Sequence, residues 1–255
     1  TVVIAAPPNP YRCPPAPYER ASQIAHYLKQ HKPNSKVIIL DPKPSFTKQA
    51  LFEQAWTELY GYKTDNALLE WWSGDAKAAG VVEVDVASKT AITQFGDRVQ
   101  GAVLNVIPPQ KAGKLAFDAG LVDATGWCPV NKLTFESTLH PKVHVIGDAC
   151  MADSLPKSGF AANSEAKVCA SAIHALLNGL DVESPSFSNG CYSLVGKDYA
   201  ISVVGVYRLS DDGKLVESIA GSGGVSSATA TAQDRLFDAS YAYSWYNNFT
   251  QDVFR

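Results

Sequence analysis

The segment His144–Lys167, HVIGDACMADSLPKSGFAANSEAK, constrains the fold more than any other stretch of the chain. Val143, Val145 and Ile146 predict a short buried strand, Gly147 ends it where backbone must pass close to a neighbour, and Asp148 stands at its carboxyl end. That is the edge at which open α/β sheets hold ligands. A helix is expected from Ser158 and Gly159, running through Ala161 to Leu177 and closed by Asn178-Gly179. Its start would offer backbone N–H groups without intrahelical partners. Plain sheet packing and ligand binding are both compatible with this order of elements.

Upstream, residues 1 to about 105 read as one α/β unit: strand Thr1–Ala6, helix Tyr18–Gln30, strand Lys36–Leu40 and a second helix around Lys48–Leu59. Ala21, Ile24, Ala25 and Leu28, then Ala50, Leu51, Ala55 and Leu59, recur at helical spacing and mark the buried helix faces. VVEVDVAS at Val81 and TAITQFG at Thr90 predict an antiparallel hairpin or meander, and Ala102–Ile107 a further strand stopped by Pro108-Pro109. The loop after the first strand, APPNPYRCPPAPYER, contains Pro7, Pro8, Pro10, Pro14, Pro15 and Pro17 and no glycine. Proline removes the backbone N–H donors a pyrophosphate needs, so nucleotide binding there is disfavoured. The loop presents Cys13 instead, between Arg12 and Pro14, with Glu19 at the following helix start. A carboxylate in a helix first turn complements the macrodipole, whereas one in a proline-walled pocket has a raised pKa suited to proton handling.

With 46% hydrophobic residues, a chain of 255 residues can bury a substantial core, and a net charge of −3 with scattered Lys and Arg lacks a nucleic-acid footprint. No apolar run reaches the roughly 20 residues that span a bilayer. Cys13, Cys128, Cys150, Cys169 and Cys191 form no CxxC pair, and the five histidines are scattered, so no metal site is expected. Cys128, Cys150 and Cys169 read as small buried residues. After Asp181 the composition shifts to Ser, Asn, Gly and aromatics, with strands expected at Tyr199–Tyr207 and Leu215–Ile219 and an aromatic tail, YAYSWYNNF, from Tyr241. Five aromatics in so short a run ordinarily serve core or interface packing.

The order apolar run, Gly-Asp-Ala and helix resembles the C-terminal flavin-binding segment of the glutathione reductase-like flavoproteins. That likeness implies that Asp148 binds the ribityl hydroxyls of FAD and that the turn Ser158, Gly159, Phe160, Ala161 faces the pyrimidine end of the flavin. YRCPPAPYER, GDACMADSLPKSGFAANSEAK, NGCYSL around Cys191 and the terminal YAYSWYNN together resemble the flavoproteins of flavocytochrome c sulfide dehydrogenase. The resemblance implies an α/β fold of the two-dinucleotide-binding-domain type with an α+β C-terminal domain. Residues 1–107 would be an NAD-domain-like unit without a nucleotide loop, 108–179 the C-terminal part of an FAD domain, and 180–255 an interface domain.

The same resemblance implies a redox-active disulfide between Cys13 and Cys191 and FAD-dependent oxidation of hydrosulfide, beside which Glu19 is the candidate for proton handling on the burial argument above. It places Phe160 where relatives can carry tyrosine and Trp245 between the flavin and a c-type cytochrome subunit; Lys157 is either a positive charge near the flavin O2 region or a solvated surface charge. With no CxxCH present, haem c belongs to that partner. A periplasmic location follows from the disulfide and the c-type partner. No GxGxxG turn follows a strand, so the chain is read as lacking the N-terminal FAD portion, with FAD bound only alongside it. A sulfide:quinone oxidoreductase-like enzyme, or a catalytically inactive FAD-free fragment that keeps a partner-binding surface, are the alternatives.

Overall fold

Apolar runs without polar alternation form strands where both sheet faces are covered, and VVIA and VIIL meet that condition. In the computed structural model, which describes residues 1–74 and 80–254, the first half of the chain runs β1 (Val2–Ala5), α1 (Ala16–His31), β2 (Val37–Leu40), α2 (Gln49–Tyr60), β3 (Leu69–Trp72), β4 (Val81–Asp85), β5 (Thr90–Thr93), β6 (Arg98–Gln100) and β7 (Val103–Val106). Strands pair in parallel in the order β3-β2-β1-β7. Ile4, Val37 and Ile39 pack with Tyr18, Ala21 and Ala25 of α1 and Phe52, Ala55 and Trp56 of α2. Val3, Ile38 and Leu40 point the other way, onto Ala91 and Val99 of the antiparallel β4-β5-β6 meander. The period-2 alternation of side chains along a strand thus divides one sheet between two cores. Both expected helices and the meander are present; α1 begins earlier than expected because Pro15 caps it and Pro17 occupies a first-turn position, where a missing N–H costs nothing.

Two compact units divide the described chain. The first holds these elements together with residues 192–202 and 226–247; the second holds 110–191, 203–225 and the rest of the C-terminal helix. Elements after β7 are α3 (Lys114–Asp118), a 3-10 turn at Gly147–Ala149, α4 (Gly159–Leu177), β8 (Ser186–Gly196), β9 (Tyr199–Leu209), β10 (Val216–Ser218), β11 (Gly224–Val225) and α5 (Ala232–Phe254). The core of the second unit gathers Phe135, Leu155, Ala161, Phe187, Leu209 and Val216.

The strand expected at residues 143–146 is not formed. The segment is extended but carries only an isolated antiparallel bridge between Glu136 and His144, with Val145 N–H bonded to the Phe135 carbonyl. Val143 and Ile146 are exposed rather than buried. A strand requires a continuous ladder partner, and among the described residues this run has a partner only around residues 135–137. The expected α4 is present and ends as expected, with Asn178 as cap and Gly179 at φ 66°. β3, α3, β8, β11 and α5 were not foreseen. β8 is rich in Ser, Asn and Gly and is held by pairing with β9, and the aromatic tail lies within α5.

Candidate functional site

In the first unit, the strand order reverses between β2-β1 and β7, which places the loop after β1 at the switch point of the sheet. A glycine loop would expose N–H donors there; this loop is anchored through its carbonyls. Lys43, just past β2, donates from Nζ to the Pro7 carbonyl at 2.6 Å and lies 4.9 Å from the centre of the Tyr11 ring. The Tyr11 hydroxyl donates to the Pro14 carbonyl at 2.7 Å. Cys13, between those anchors, is half-buried and adopts φ 51°, a left-handed conformation uncommon for any residue but glycine. Its carbonyl accepts the Ala16 N–H at 2.8 Å, joining the turn to the start of α1.

Glu19, in the first turn of α1, is mostly buried. Its Oε1 accepts the Leu194 N–H at 3.0 Å and the Gln23 amide at 3.3 Å. Burial raises its pKa, opposed by the Leu194 bond, the Lys48 charge and Ser193. Lys48 Nζ itself donates to Ser193 Oγ at 2.8 Å. The direction of this shift matches the burial argument made from the sequence, while the nearby Lys48 ammonium and Ser193 hydroxyl moderate it.

In the second unit, Gly147 adopts φ 72°, and a Cβ there would meet the Ala162 methyl at 3.4 Å, so the turn runs close against α4. Glu165, buried in α4, accepts the Gly147 N–H at 2.5 Å, and the Cys150 thiol lies 3.7 Å from the same oxygen. Burial raises the Glu165 pKa. From the other side, Lys157 donates to the Asp148 carbonyl at 2.9 Å and to the Cys150 carbonyl at 2.6 Å, with its ammonium 4.0 Å from the centre of the Trp127 ring. Burial lowers the Lys157 pKa. Residues 147–150 are therefore held from two sides, and what they present is the Asp148 carboxylate. Its Oδ1 is buried with no hydrogen-bond partner among the described residues. Buried polar atoms are nearly always paired, and an orphaned carboxylate oxygen fits a ligand hydroxyl.

Ser158 caps α4, its Oγ accepting the Ala161 N–H at 3.0 Å and donating to Asn189 Oδ1 at 2.5 Å. Of the four residues expected to face a flavin, Ala161 thus has its N–H engaged by the cap, while Gly159 is exposed at the helix start. The Phe160 ring packs over Gly190, where a Cβ would come within 3.1 Å. The segment Asn189-Gly190-Cys191 is consequently seated against the start of α4, which puts half-buried Cys191 next in sequence to the Phe160 contact. Burial and then the Cys191 charge raise the Tyr207 pKa. The structure thus brings together Asp148 with Lys157, and Ser158 and Phe160 with the Cys191 strand. Cys13 and Glu19 belong to the first unit, as does half-buried Trp245 on α5. Tyr241, Tyr243 and Tyr246 around Trp245 are exposed rather than core residues.

Sequence reasoning missed Glu165, Asp41 and Lys43. Glu165 was detectable, since it shares the helical face of Ala161, Cys169 and Ala172. The three expected structural cysteines are all buried, and burial raises the thiol pKa of Cys128, Cys150 and Cys169.

Two family descriptions match the chain: the central part of the sulfide dehydrogenase (flavocytochrome c) flavoprotein chain over residues 1–108, and the flavocytochrome c sulphide dehydrogenase flavin-binding family over residues 183–254. The chain belongs to the flavocytochrome c sulfide dehydrogenase flavoprotein family. Among solved structures, the sulfide:quinone oxidoreductase of Aquifex aeolicus aligns with a TM-score of 0.59 at 15% identity, over 98% of this chain and 58% of that one. A chain of the mitochondrial ATP synthase tetramer of Tetrahymena thermophila aligns with a TM-score of 0.57 at 15% identity, over 98% and 60%. The covalent putidaredoxin reductase–putidaredoxin complex aligns at 0.51 and 14% identity, over 94% and 58%. At these identities the likeness is one of fold, a mixed α/β architecture with parallel and antiparallel sheets. The family member described here spans less than two thirds of the length of these chains. Among the described residues, no helix is long and apolar enough to cross a membrane.

Proposed function

We propose that this chain is part of an FAD-dependent enzyme that oxidises sulfide through a cysteine pair, Cys13 and Cys191, and delivers electrons to a c-type cytochrome subunit. The observation that carries the cofactor assignment is the buried, unpartnered Oδ1 of Asp148, held by the Glu165 and Lys157 clamp beside the capped start of α4. The family match carries the substrate. In this reading residues 1–107 are an NAD-domain-like unit, 108–179 the end of an FAD domain and 180–255 the interface domain, in a periplasmic protein.

Asp148 would hold the ribityl hydroxyls, and Gly159, Phe160 and Lys157 the pyrimidine side of the ring. Hydrosulfide attacks one sulfur of the Cys13–Cys191 disulfide; the S–S bond breaks as a bond to the substrate sulfur forms, leaving a persulfide on one cysteine and a thiolate on the other. Glu19, with its raised pKa, takes up the persulfide proton. FAD, when bound, would supply an acceptor for the electron pair of the cysteine thiolate and could pass electrons on one at a time, with Trp245 on the side of the cytochrome partner.

The test is anaerobic sulfide titration of the full-length flavoprotein, followed by flavin absorbance. Wild type is expected to bleach, and Cys13→Ser and Cys191→Ser to keep FAD and stay oxidised. Wild-type bleaching rates in both variants would remove the cysteine pair from the reaction. A colourless wild-type protein would favour the FAD-free reading, and reduction of quinone in place of cytochrome c the quinone-linked one.

A further inference from the structure

The loop that carries Cys13 is fastened by a polar chain that nothing in the cysteine chemistry requires by itself. Asp41, fully buried at the end of β2, accepts from the Tyr18 hydroxyl at 2.5 Å, the Trp71 indole at 3.0 Å and the Lys43 N–H at 3.0 Å, and pairs with the Lys43 ammonium at 2.7 Å. The ammonium, almost completely buried, reaches across to the Pro7 carbonyl and the Tyr11 ring, and the Tyr11 hydroxyl then takes the Pro14 carbonyl. Pro7 and Pro14 bracket Cys13. A loop of prolines has carbonyl acceptors and few N–H donors, so side-chain donors help to tie it down: Lys43 from beyond β2 and Tyr11 from within the loop. They act where a left-handed φ at Cys13 must be sustained without glycine.

We propose that Lys43, held by Asp41, is a positioning residue: with Tyr11 it locks the Cys13 turn in its half-buried, left-handed conformation and thereby sets the access of reagents to the Cys13 sulfur. The consequence for sulfide oxidation rests on the proposed role of Cys13, but the lock itself does not. A buried ammonium shared between a carboxylate and a loop carbonyl leaves both stranded when removed, and the loop opens locally while the rest of the unit stays folded.

The experiment is alkylation of the reduced full-length flavoprotein with iodoacetamide, with the labelled cysteine located by peptide mass spectrometry. Lys43→Met is expected to speed labelling of Cys13 by about tenfold or more, as local opening exposes the thiol, while buried Cys128, Cys150 and Cys169 stay unlabelled. Lys43→Arg, which returns a cation to Asp41 and Pro7, is expected to restore a rate within about threefold of wild type. Tyr11→Phe keeps the ion pair and loses one hydrogen bond, and is expected to give a gain of about threefold. Wild-type labelling of Cys13 in folded Lys43→Met overturns the proposal. So does accelerated labelling of the buried cysteines alongside Cys13, which signals general loosening. Should Lys43→Met not fold, a wild-type rate in Tyr11→Phe overturns it equally. Labelling requires no sulfide turnover, so an enzyme that fails to oxidise sulfide would break the proposed function and leave this result to stand alone.

Discussion

Asp41 and Asp148 each follow an apolar run, yet they are built for opposite ends. Asp41 has both oxygens engaged by its own chain, through Tyr18, Trp71 and Lys43. Asp148 keeps one oxygen buried without a partner, although the backbone around it is clamped by Glu165 and Lys157. The same residue type is therefore fully engaged in one unit and keeps a buried oxygen without a partner among the described residues in the other. The difference lies in how many lone pairs are already spoken for. The first unit has filled the end of its sheet with proline, lysine and tyrosine; the second leaves one carboxylate oxygen buried without a partner among the described residues.

The comparison is broken most severely at Asp41. Asp41→Ala strands the Lys43 ammonium in the core and is expected to cost about 3–5 kcal/mol by chemical denaturation. Asp148→Ala removes an oxygen that is already unsatisfied, so without flavin it is expected to be neutral or to stabilise by up to about 1 kcal/mol. Equal losses at the two positions would erase the distinction. Between them stands Ser158→Ala, which uncaps α4 and leaves Asn189 without its donor; a loss of about 1 kcal/mol is expected.

The smallest effect is one of pH. The Glu19 carboxyl titrates above its ordinary 4.5 because burial penalises the anion. The native state then binds a proton that the unfolded chain has released, so wild-type stability falls as pH rises from 4.5 through the raised native value. Glu19→Gln should lack that slope while retaining an acceptor for the Leu194 N–H. A parallel pH dependence of wild type and variant would show that Glu19 is not the group responsible.

Much of this organisation was legible in the residues. Continuous apolar runs at Val2–Ala5 and Val37–Leu40 announced strands buried on both faces, and prolines in place of glycines announced a loop without phosphate donors. Ser158 and Asn178-Gly179 marked both ends of α4. The apolar letters of Val143–Ile146 misled, because apolar content cannot reveal whether a neighbouring strand supplies a ladder. β8 was invisible for the converse reason: its Ser, Asn and Gly carry low strand propensity, and pairing with β9 decides its conformation. For α5 the start signal was present, since Thr231 and Asp234 bond each other's backbone N–H groups at 2.7 and 3.3 Å, a pattern akin to a capping box. The Asp148 gap and the Asp41 lock were beyond sequence, because both depend on which distant side chains arrive at a carboxylate.

Whether the unpartnered oxygen of Asp148 contacts the flavin is tested most directly by the FAD dissociation constant of the full-length flavoprotein, measured for wild type, Asp148→Asn and Asp148→Ala. Loss of a hydrogen bond to a charged group predicts that Asp148→Ala weakens FAD binding by about tenfold to a hundredfold without lowering the stability of the flavin-free protein. FAD held as tightly by Asp148→Ala as by wild type would contradict the account.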